Sequence, residues 1–298
     1  MELRHLRYFC AVAEEEHVTR AAQVLNLAQP ALTQQIKALE AEIGVALLRR
    51  VGRGVELTEA GRAFWHEARA ILDRTKAATL TAQEIHRGHA GRLLIGLAET
   101  ASFAEPVTAI LKLARERWPS VEFNLSQART VDLLASLGDR KIDLAVVRSP
   151  MPSDTGLAAV PFLTEGFVVA APRGHPLAEA PEIQLAELGG VPLIITSGRP
   201  YDINLRTGFI GALSDIGKTP NIVQATPEYV TAINLVAAGF GVTVVPSVLT
   251  GLRHESVVYR PLISDPPLRT QLIVASRRTD VSPVARNFLA LVQSNARA

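Results

Sequence analysis

The thirty residues from Val18 to Leu47 constrain this chain more than any other stretch. Val18, Ala21, Ala22 and Leu25 recur at helical spacing and share one face, with Thr19 placed to start that helix by accepting a backbone hydrogen bond. Asn26-Leu27-Ala28 interrupts the pattern, and Pro30 falls where a proline is tolerated, in the first turn of a second helix. There Leu32, Ile36, Leu39 and Ile43 form one apolar stripe. The opposite face carries Pro30, Gln34, Lys37, Ala38 and Ala41, with Thr33 on its flank. It is small enough for close approach, and its polar groups are amides, a hydroxyl and one cation. Gln can pair with the donor and acceptor of adenine, and Thr or Pro can meet a thymine methyl. A short helix pair of this shape is a helix-turn-helix, although periodicity alone also allows an ordinary helical hairpin with a solvated face.

Charge does not choose between the two. Residues 1–60 hold seven Lys/Arg against eight Asp/Glu, and the chain's net charge is +2 over 298 residues. Any nucleic-acid contact must come from local placement rather than from the field of the whole protein. More specific are Arg20-Ala21-Ala22, Leu27-Ala28-Gln29-Pro30-Ala31-Leu32 and Ile36-x-x-Leu39-Glu40, then Gly44-Val45-x-Leu47-Leu48-x-Arg50 and Leu57-Thr58-x-Ala60-Gly61. From Leu3 to about Trp65 the chain resembles, without a gap, the amino-terminal domain of LysR-type transcriptional regulators. It departs from that pattern in having Thr33-Gln34 where the family commonly has Ser-Arg, and Ala28 where it commonly has a Ser or Thr cap.

The order of the chain agrees. Leu3, Leu6, Phe9, Cys10 and Ala13 predict a helix from Leu3 to about Glu16 that packs on the helix pair. Leu47–Leu57 reads as a two-stranded wing, turned by Gly52 and Gly54 and carrying Arg49, Arg50 and Arg53, a tip suited to phosphates or a narrow minor groove. Thr58 caps a helix running from Glu59 to about Arg87. In it Phe64, Ala68, Ile71, Thr75, Ala78, Ala82 and Ile85 make a weak heptad seam that pairs with another helix, in a second subunit or in the same chain. Gly88-His89-Ala90-Gly91 reads as a hinge.

Beyond Gly91 short apolar runs alternate with helical patterns, predicting β-α-β-α-β and a parallel sheet, then a second α/β set and a final helix, Pro283–Ser294. We expect residues 1–58 to be the DNA-binding domain, 59–90 a linker helix and hinge, and 91–298 a two-lobed domain. Lobe I comprises 91–162 and 267–298, and lobe II 163–266. The fold class is thus α/β with an all-α winged helix-turn-helix at its amino terminus. The two lobes resemble the effector domain of the same family, which shares its fold with periplasmic solute-binding proteins. Val168-Val169-Ala170-Ala171-Pro172-x-Gly174-His175-Pro176-Leu177 and Val236-Ala237-Ala238-Gly239-x-Gly241 carry that likeness.

In open α/β sheets ligands bind beyond the carboxyl ends of strands. Those ends present Thr100, Ser102, Thr130 and Arg148 in lobe I and Thr196, Pro200, Tyr201 and Thr226 in lobe II. Each Thr or Ser, taken singly, also fits a plain helix cap. As a set without an acidic residue they suit a small organic acid, with Arg148 taking its carboxylate bidentately. In regulators of aromatic-acid degradation within the family, residues matching Thr130, Arg148 and the Pro200-Tyr201 turn contact the effector.

Other classes lack their motifs. The seven histidines, His5, His17, His66, His86, His89, His175 and His254, show no metal-ligand spacing, and there is no GxSxG, GxGxxG or P-loop. A single cysteine, Cys10, excludes a disulfide framework and reads as a core residue. No signal peptide or spanning apolar run is visible, so a cytoplasmic protein is expected.

The resemblance implies a homodimer or homotetramer that bends promoter DNA, shifts its subunit arrangement on binding an effector, and meets RNA polymerase; the seam residues Phe64, Ile71, Ala78 and Ile85 are expected to hold it. Arg20, Gln29, Pro30, Thr33, Gln34 and Lys37 are assigned to DNA, with Arg50 and Arg53 on its backbone. No cofactor, metal or catalytic residue is expected. An enzyme reusing a two-lobed anion cleft and a ligand-independent DNA-bending protein are the alternatives.

Overall fold

The computed structural model describes residues 1–152, 156–196, 203–252 and 254–296, with residues 203–207 described by their backbone alone. The chain divides into two compact units, Met1–Glu84 and Ile85–Ala298.

In the first unit three helices, α1 (Leu3–Glu15), α2 (Val18–Val24) and α3 (Gln29–Ile43), precede a hairpin of β1 (Leu48–Val51) and β2 (Gly54–Leu57) and a long helix, α4 (Glu59–Arg87). Leu6, Phe9, Val12, Ala21, Leu32, Leu39 and Leu47 form its core, so the apolar stripe of α3 does face inward. The chain turns from α2 to α3 at Asn26, in the left-handed region at φ 54°. α2 starts differently from expectation: His17 Nδ1, not the Thr19 hydroxyl, takes the free amide, accepting from Thr19 N at 3.3 Å. The two wing glycines also divide their work. Gly52 supplies the positive φ of the turn, whereas Gly54 makes room for the Glu16 carbonyl, which a Cβ there would meet at 2.7 Å. That carbonyl instead accepts from Val55 N at 2.9 Å and ties the wing to the end of α1.

In the second unit β3 (Ala90–Leu97), α5 (Glu105–Arg117), β4 (Ser120–Gln127), α6 (Thr130–Gly138) and β5 (Leu144–Arg148) form the expected parallel β-α-β-α-β. The chain continues through β6 (Leu157–Glu165), β7 (Phe167–Pro172), α7 (Pro176–Glu179), β8 (Ile183–Gln184) and β9 (Pro192–Thr196). It then runs through α8 (Ile203–Asp215), β10 (Asn221–Thr226), α9 (Tyr229–Ala237), β11 (Val242–Pro246), β12 (Val257–Ile263), β13 (Thr270–Arg277) and α10 (Pro283–Ser294). Two sheets result, ordered β4-β3-β5-β13-β6 and β10-β9-β11-β7-β12-β8. Each has an apolar cluster on both faces, as a doubly wound lobe requires. Neither sheet is wholly parallel: β13 runs antiparallel to β5 and β6, and β7 antiparallel to β11 and β12. β6 stays in the first sheet through Glu165, three residues past the expected lobe boundary at 162.

The Gly88–Gly91 segment is held in place locally. Gly88 is buried at φ +73°, and a Cβ on it would meet the Pro283 carbonyl carbon at 2.5 Å. The Asn287 amide donates to Arg87 O at 2.8 Å and to Gly88 O at 3.2 Å. The bend is therefore fixed to the start of α10.

Candidate functional site

α3 begins with a bare end. Ala28 is its N-cap and offers no side-chain hydrogen bond, so the first amides point outward unclaimed by a cap. Along the outer face Gln29, Pro30, Gln34 and Lys37 are exposed. Gln34 and Lys37 have no side-chain partner among the described residues. Thr33 is different: its hydroxyl donates to Gln29 O at 2.9 Å, so its methyl is what remains to offer a surface. On the wing, Arg49 Nη2 donates to Glu56 Oε2 at 2.7 Å across the hairpin, which spends that cation. Arg50 and Arg53 are exposed and carry no ion pair among the described residues. Arg20, on α2, is exposed but donates to the Glu15 carbonyl and pairs with its carboxylate, so its charge is partly compensated.

Residues behind the groove face hold this surface together. Glu40, on α3, accepts from Leu47 N at 2.8 Å and Leu48 N at 3.0 Å, fixing where the wing leaves the recognition helix. Thr58 donates to Ala46 O at 2.8 Å and accepts from Gly61 N at 2.9 Å, capping α4 as expected. Gly61 is buried, and a Cβ on it would sit 1.9 Å from Leu47 O. The Thr-x-x-Gly spacing is thus the mark of a helix start pressed onto the wing.

The seam of α4 needs a correction. Phe64 packs edge-to-face on Phe9, with ring centroids 5.3 Å apart, and Ala68 is fully buried in the same core. Both are spent inside their own domain. Further along, Ile71 is 42% exposed and Ile85 50%, with Ala78 and Leu80 exposed between them.

In the second unit the strand ends do gather hydroxyls. Thr100 lies in the 3-10 turn Glu99–Phe103 after β3 and is buried, whereas Ser102 in the same turn is exposed. Thr130 is the first residue of α6, whose N-cap, Arg129, makes no side-chain capping bond. Thr196 and Thr226 are register partners at the ends of β9 and β10, both buried. Thr226 Oγ1 donates to Glu228 O at 3.0 Å and braces the turn into α9. Pro200 and Tyr201 lie outside the described residues.

Arg148 is where expectation and structure part. It is not a free cation: Nε donates to Thr100 Oγ1 at 3.0 Å, Nη1 to Thr270 Oγ1 at 3.1 Å, and Nη2 to Glu165 Oε1 at 2.7 Å. Its side chain is 11% exposed and that of Glu165 only 4%. The expected absence of an acidic residue here is also overturned, because Glu165 and Glu99 are both buried at the lobe junction. Glu165 Oε2 accepts from Ser247 Oγ at 2.8 Å and Val248 N at 2.7 Å, at the start of the 3-10 turn after β11. Glu99 Oε1 accepts from Val230 N at 3.4 Å, in the first turn of α9. Two carboxylates from lobe I therefore terminate helical turns of lobe II. Sequence reasoning missed them because each pairs with residues far away in the chain.

Cys10 is buried, and burial, followed by the nearby Glu14 charge, pushes its thiol up to about 11. Among the described residues no cluster of three His, Cys, Asp or Glu side chains could hold a metal, and no helix is long and apolar enough to cross a membrane.

A helix-turn-helix with an open groove face, followed by two α/β lobes meeting at a polar junction, defines a regulator that joins a DNA reader to a small-molecule sensor. Residues 3–62 match the bacterial regulatory helix-turn-helix protein model of the lysR family, and residues 86–297 match the LysR substrate binding domain. The chain belongs to the LysR family of transcriptional regulators and is a regulator rather than an enzyme. It is 36% identical over 292 residues to the HTH-type transcriptional regulator YnfL of Escherichia coli K12, covering 97% of this chain and 96% of that one. It is 34% identical over 293 residues to the Hca operon transcriptional activator HcaR of the same organism, covering 98% and 97%. Among solved structures it resembles full-length CbnR complexed with its target DNA, at a TM-score of 0.86 and 26% identity over the whole of both chains.

Proposed function

We propose that this regulator senses a small organic acid between its two lobes and reads promoter DNA through Gln29, Thr33 and Gln34, with Arg50 and Arg53 on the phosphates. The observation that carries the DNA half is the unspent groove face: exposed Gln34 and Lys37 beside two unpaired wing arginines. Thr33 contributes its methyl, and Arg20, already paired with Glu15, contributes little.

The sensing half is supported by what the lobe junction leaves open. The α6 N-terminus with Thr130 has no side-chain cap, and Thr196 has no hydroxyl partner among the described residues. Amide and hydroxyl donors of this kind hold a carboxylate without a dedicated cation. An aromatic acid agrees with the family resemblance at Thr130. The protein works as a self-associated assembly in the cytoplasm, paired through the Ile71, Ala78 and Ile85 face of α4, and contacts RNA polymerase when it activates. The domain plan is 1–58 for DNA, 59–90 for the linker and 91–298 for the effector.

Footprinting of promoter DNA with and without a panel of monocarboxylates tests this reading. A footprint that changes length or hypersensitivity with one acid supports it. A footprint indifferent to the whole panel sinks the sensing half and leaves a ligand-independent DNA-bending protein.

A further inference from the structure

Arg148 stands at the end of β5 and Glu165 at the end of β6, with β13 between them. The guanidinium reaches across β13, past Thr270, the register partner of Glu165, and closes a 2.7 Å contact to the carboxylate. Both side chains are nearly buried, so water screens the pair poorly. A carboxylate arriving at Arg148 must share it with Glu165 or displace Glu165. Among the described residues, displacement leaves that carboxylate buried against the Ser247 hydroxyl and the Val248 amide alone, and an unpaired buried charge is strongly disfavoured.

We infer that Glu165 is a specificity-determining residue of the effector cleft: it occupies one carboxylate position at Arg148 from within the protein, so the cleft accepts effectors with one negative charge fewer than the bare Arg148 cation would take. This rests on reading the lobe junction as the effector site. Monocarboxylates are then held by amides and hydroxyls, and a second anionic group finds its place at Arg148 already filled. Glu165 also carries the pair's charge balance into lobe II, because the same carboxylate terminates the turn at Ser247. A group that disturbs Arg148 therefore disturbs the lobe contact as well.

Glu165→Gln keeps the volume and a hydrogen-bonding oxygen but removes the charge. In the full-length protein, thermal-shift titrations at fixed ionic strength with sulfate, succinate and benzoate read the outcome. Glu165→Gln is expected to bind sulfate and succinate at least about ten-fold more tightly than wild type, the scale of one freed charge-assisted contact, with benzoate moving far less. Adding Arg148→Met to that variant is expected to abolish the gain. A folded Glu165→Gln protein with no gain, or a gain that survives Arg148→Met, overturns the inference. From the other side, Arg148→Met alone bares the carboxylate and is expected to lower the melting temperature, which Glu165→Gln added to it restores. A double variant as unstable as Arg148→Met alone also overturns the pairing. If no carboxylate shifts any variant while sulfate stabilises Glu165→Gln through Arg148, the effector reading falls and the role of Glu165 stands.

Discussion

On α3, Gln34 and Lys37 project into solvent and bond to nothing among the described residues, while at the lobe junction Arg148 donates to Thr100, Thr270 and Glu165 at once. Both regions carry polar residues where their elements present a face, yet only the first leaves them available. A DNA-reading surface must keep its donors unspent, because their partners arrive with the duplex. A lobe junction must satisfy its buried charges before any ligand arrives, because an unpaired one would cost more than the ligand returns. The same residue type thus means different things on an outer helix face and at an inner strand end.

The contrast breaks first if the reading surface is not rigid. Gly61→Ala places a Cβ 1.9 Å from the Leu47 carbonyl, with backbone on both sides to resist it. Such a clash should destabilise the first unit by about 3 kcal/mol or more. Calorimetry should show that transition lowered and DNA binding lost, with the effector-domain transition unmoved. Unchanged melting would mean the wing is soft enough to retreat, and that its arginines are not held in register.

Next in size is the α4 seam. Ile71→Asp puts a charge where an exposed apolar side chain now stands, so the isolated fold should tolerate it within about 0.5 kcal/mol, as surface substitutions usually do. Sedimentation should nevertheless show weaker self-association, and DNA binding should fall with it. Phe64→Ala should do the reverse, destabilising the domain by about 3–5 kcal/mol through its contact with Phe9. If Ile71→Asp leaves the assembly intact, the seam is not the partner-facing surface.

Smaller, and more discriminating, is the split between reading and anchoring. Gln34→Ala should cost roughly 1–3 kcal/mol of discrimination at one base position. Arg53→Ala should weaken all sequences alike and reduce the salt slope by about 0.9. Identical, uniform losses in both would erase the division of labour.

The first unit was legible because helical spacing alone separates Leu32, Ile36 and Leu39 from Gln34 and Lys37. Two strands of the second unit were not. β6 contains Pro161 and β12 contains Pro261, and a proline within an apolar run reads as a break. Both sites are ones where the missing amide does little harm. β6 is an edge strand with a register shift opposite Pro161, and β8 pairs with β12 only beyond Pro261, at Leu262 and Ile263. Glu165 hid for another reason: it is separated from Arg148 by 17 residues and from Ser247 by 82, and nothing local marks a carboxylate whose partners come from other strands.

The smallest expected effect concerns Cys10. With its thiol pushed up to about 11 by burial, it should resist disulfide reagents at pH 8 and react only as fast as the first unit unfolds. Because the folded thiol holds its proton longer than the unfolded one, this residue's contribution to stability is intact below about pH 9 and lost as pH rises toward about 11. Rapid labelling at pH 8 would instead mark an accessible thiolate, and with it a route to redox sensing that this core position denies.

The Asn287 amide, bonded to the carbonyls of Arg87 and Gly88 two hundred residues back, has a practical consequence. The end of α4 and the first turns of α10 are stapled together, so the entry to that domain is tied to its last helix. An effector domain excised from Ala90 onward would strip the cover from Pro283 and leave the Asn287 side chain without its two acceptors. One begun at Ile85 keeps the staple whole. In the intact protein the same staple makes the final turn of α4 part of lobe I, so that a tilt of that lobe moves the end of the linker helix with it, much as a handle moves with the door it is bolted to.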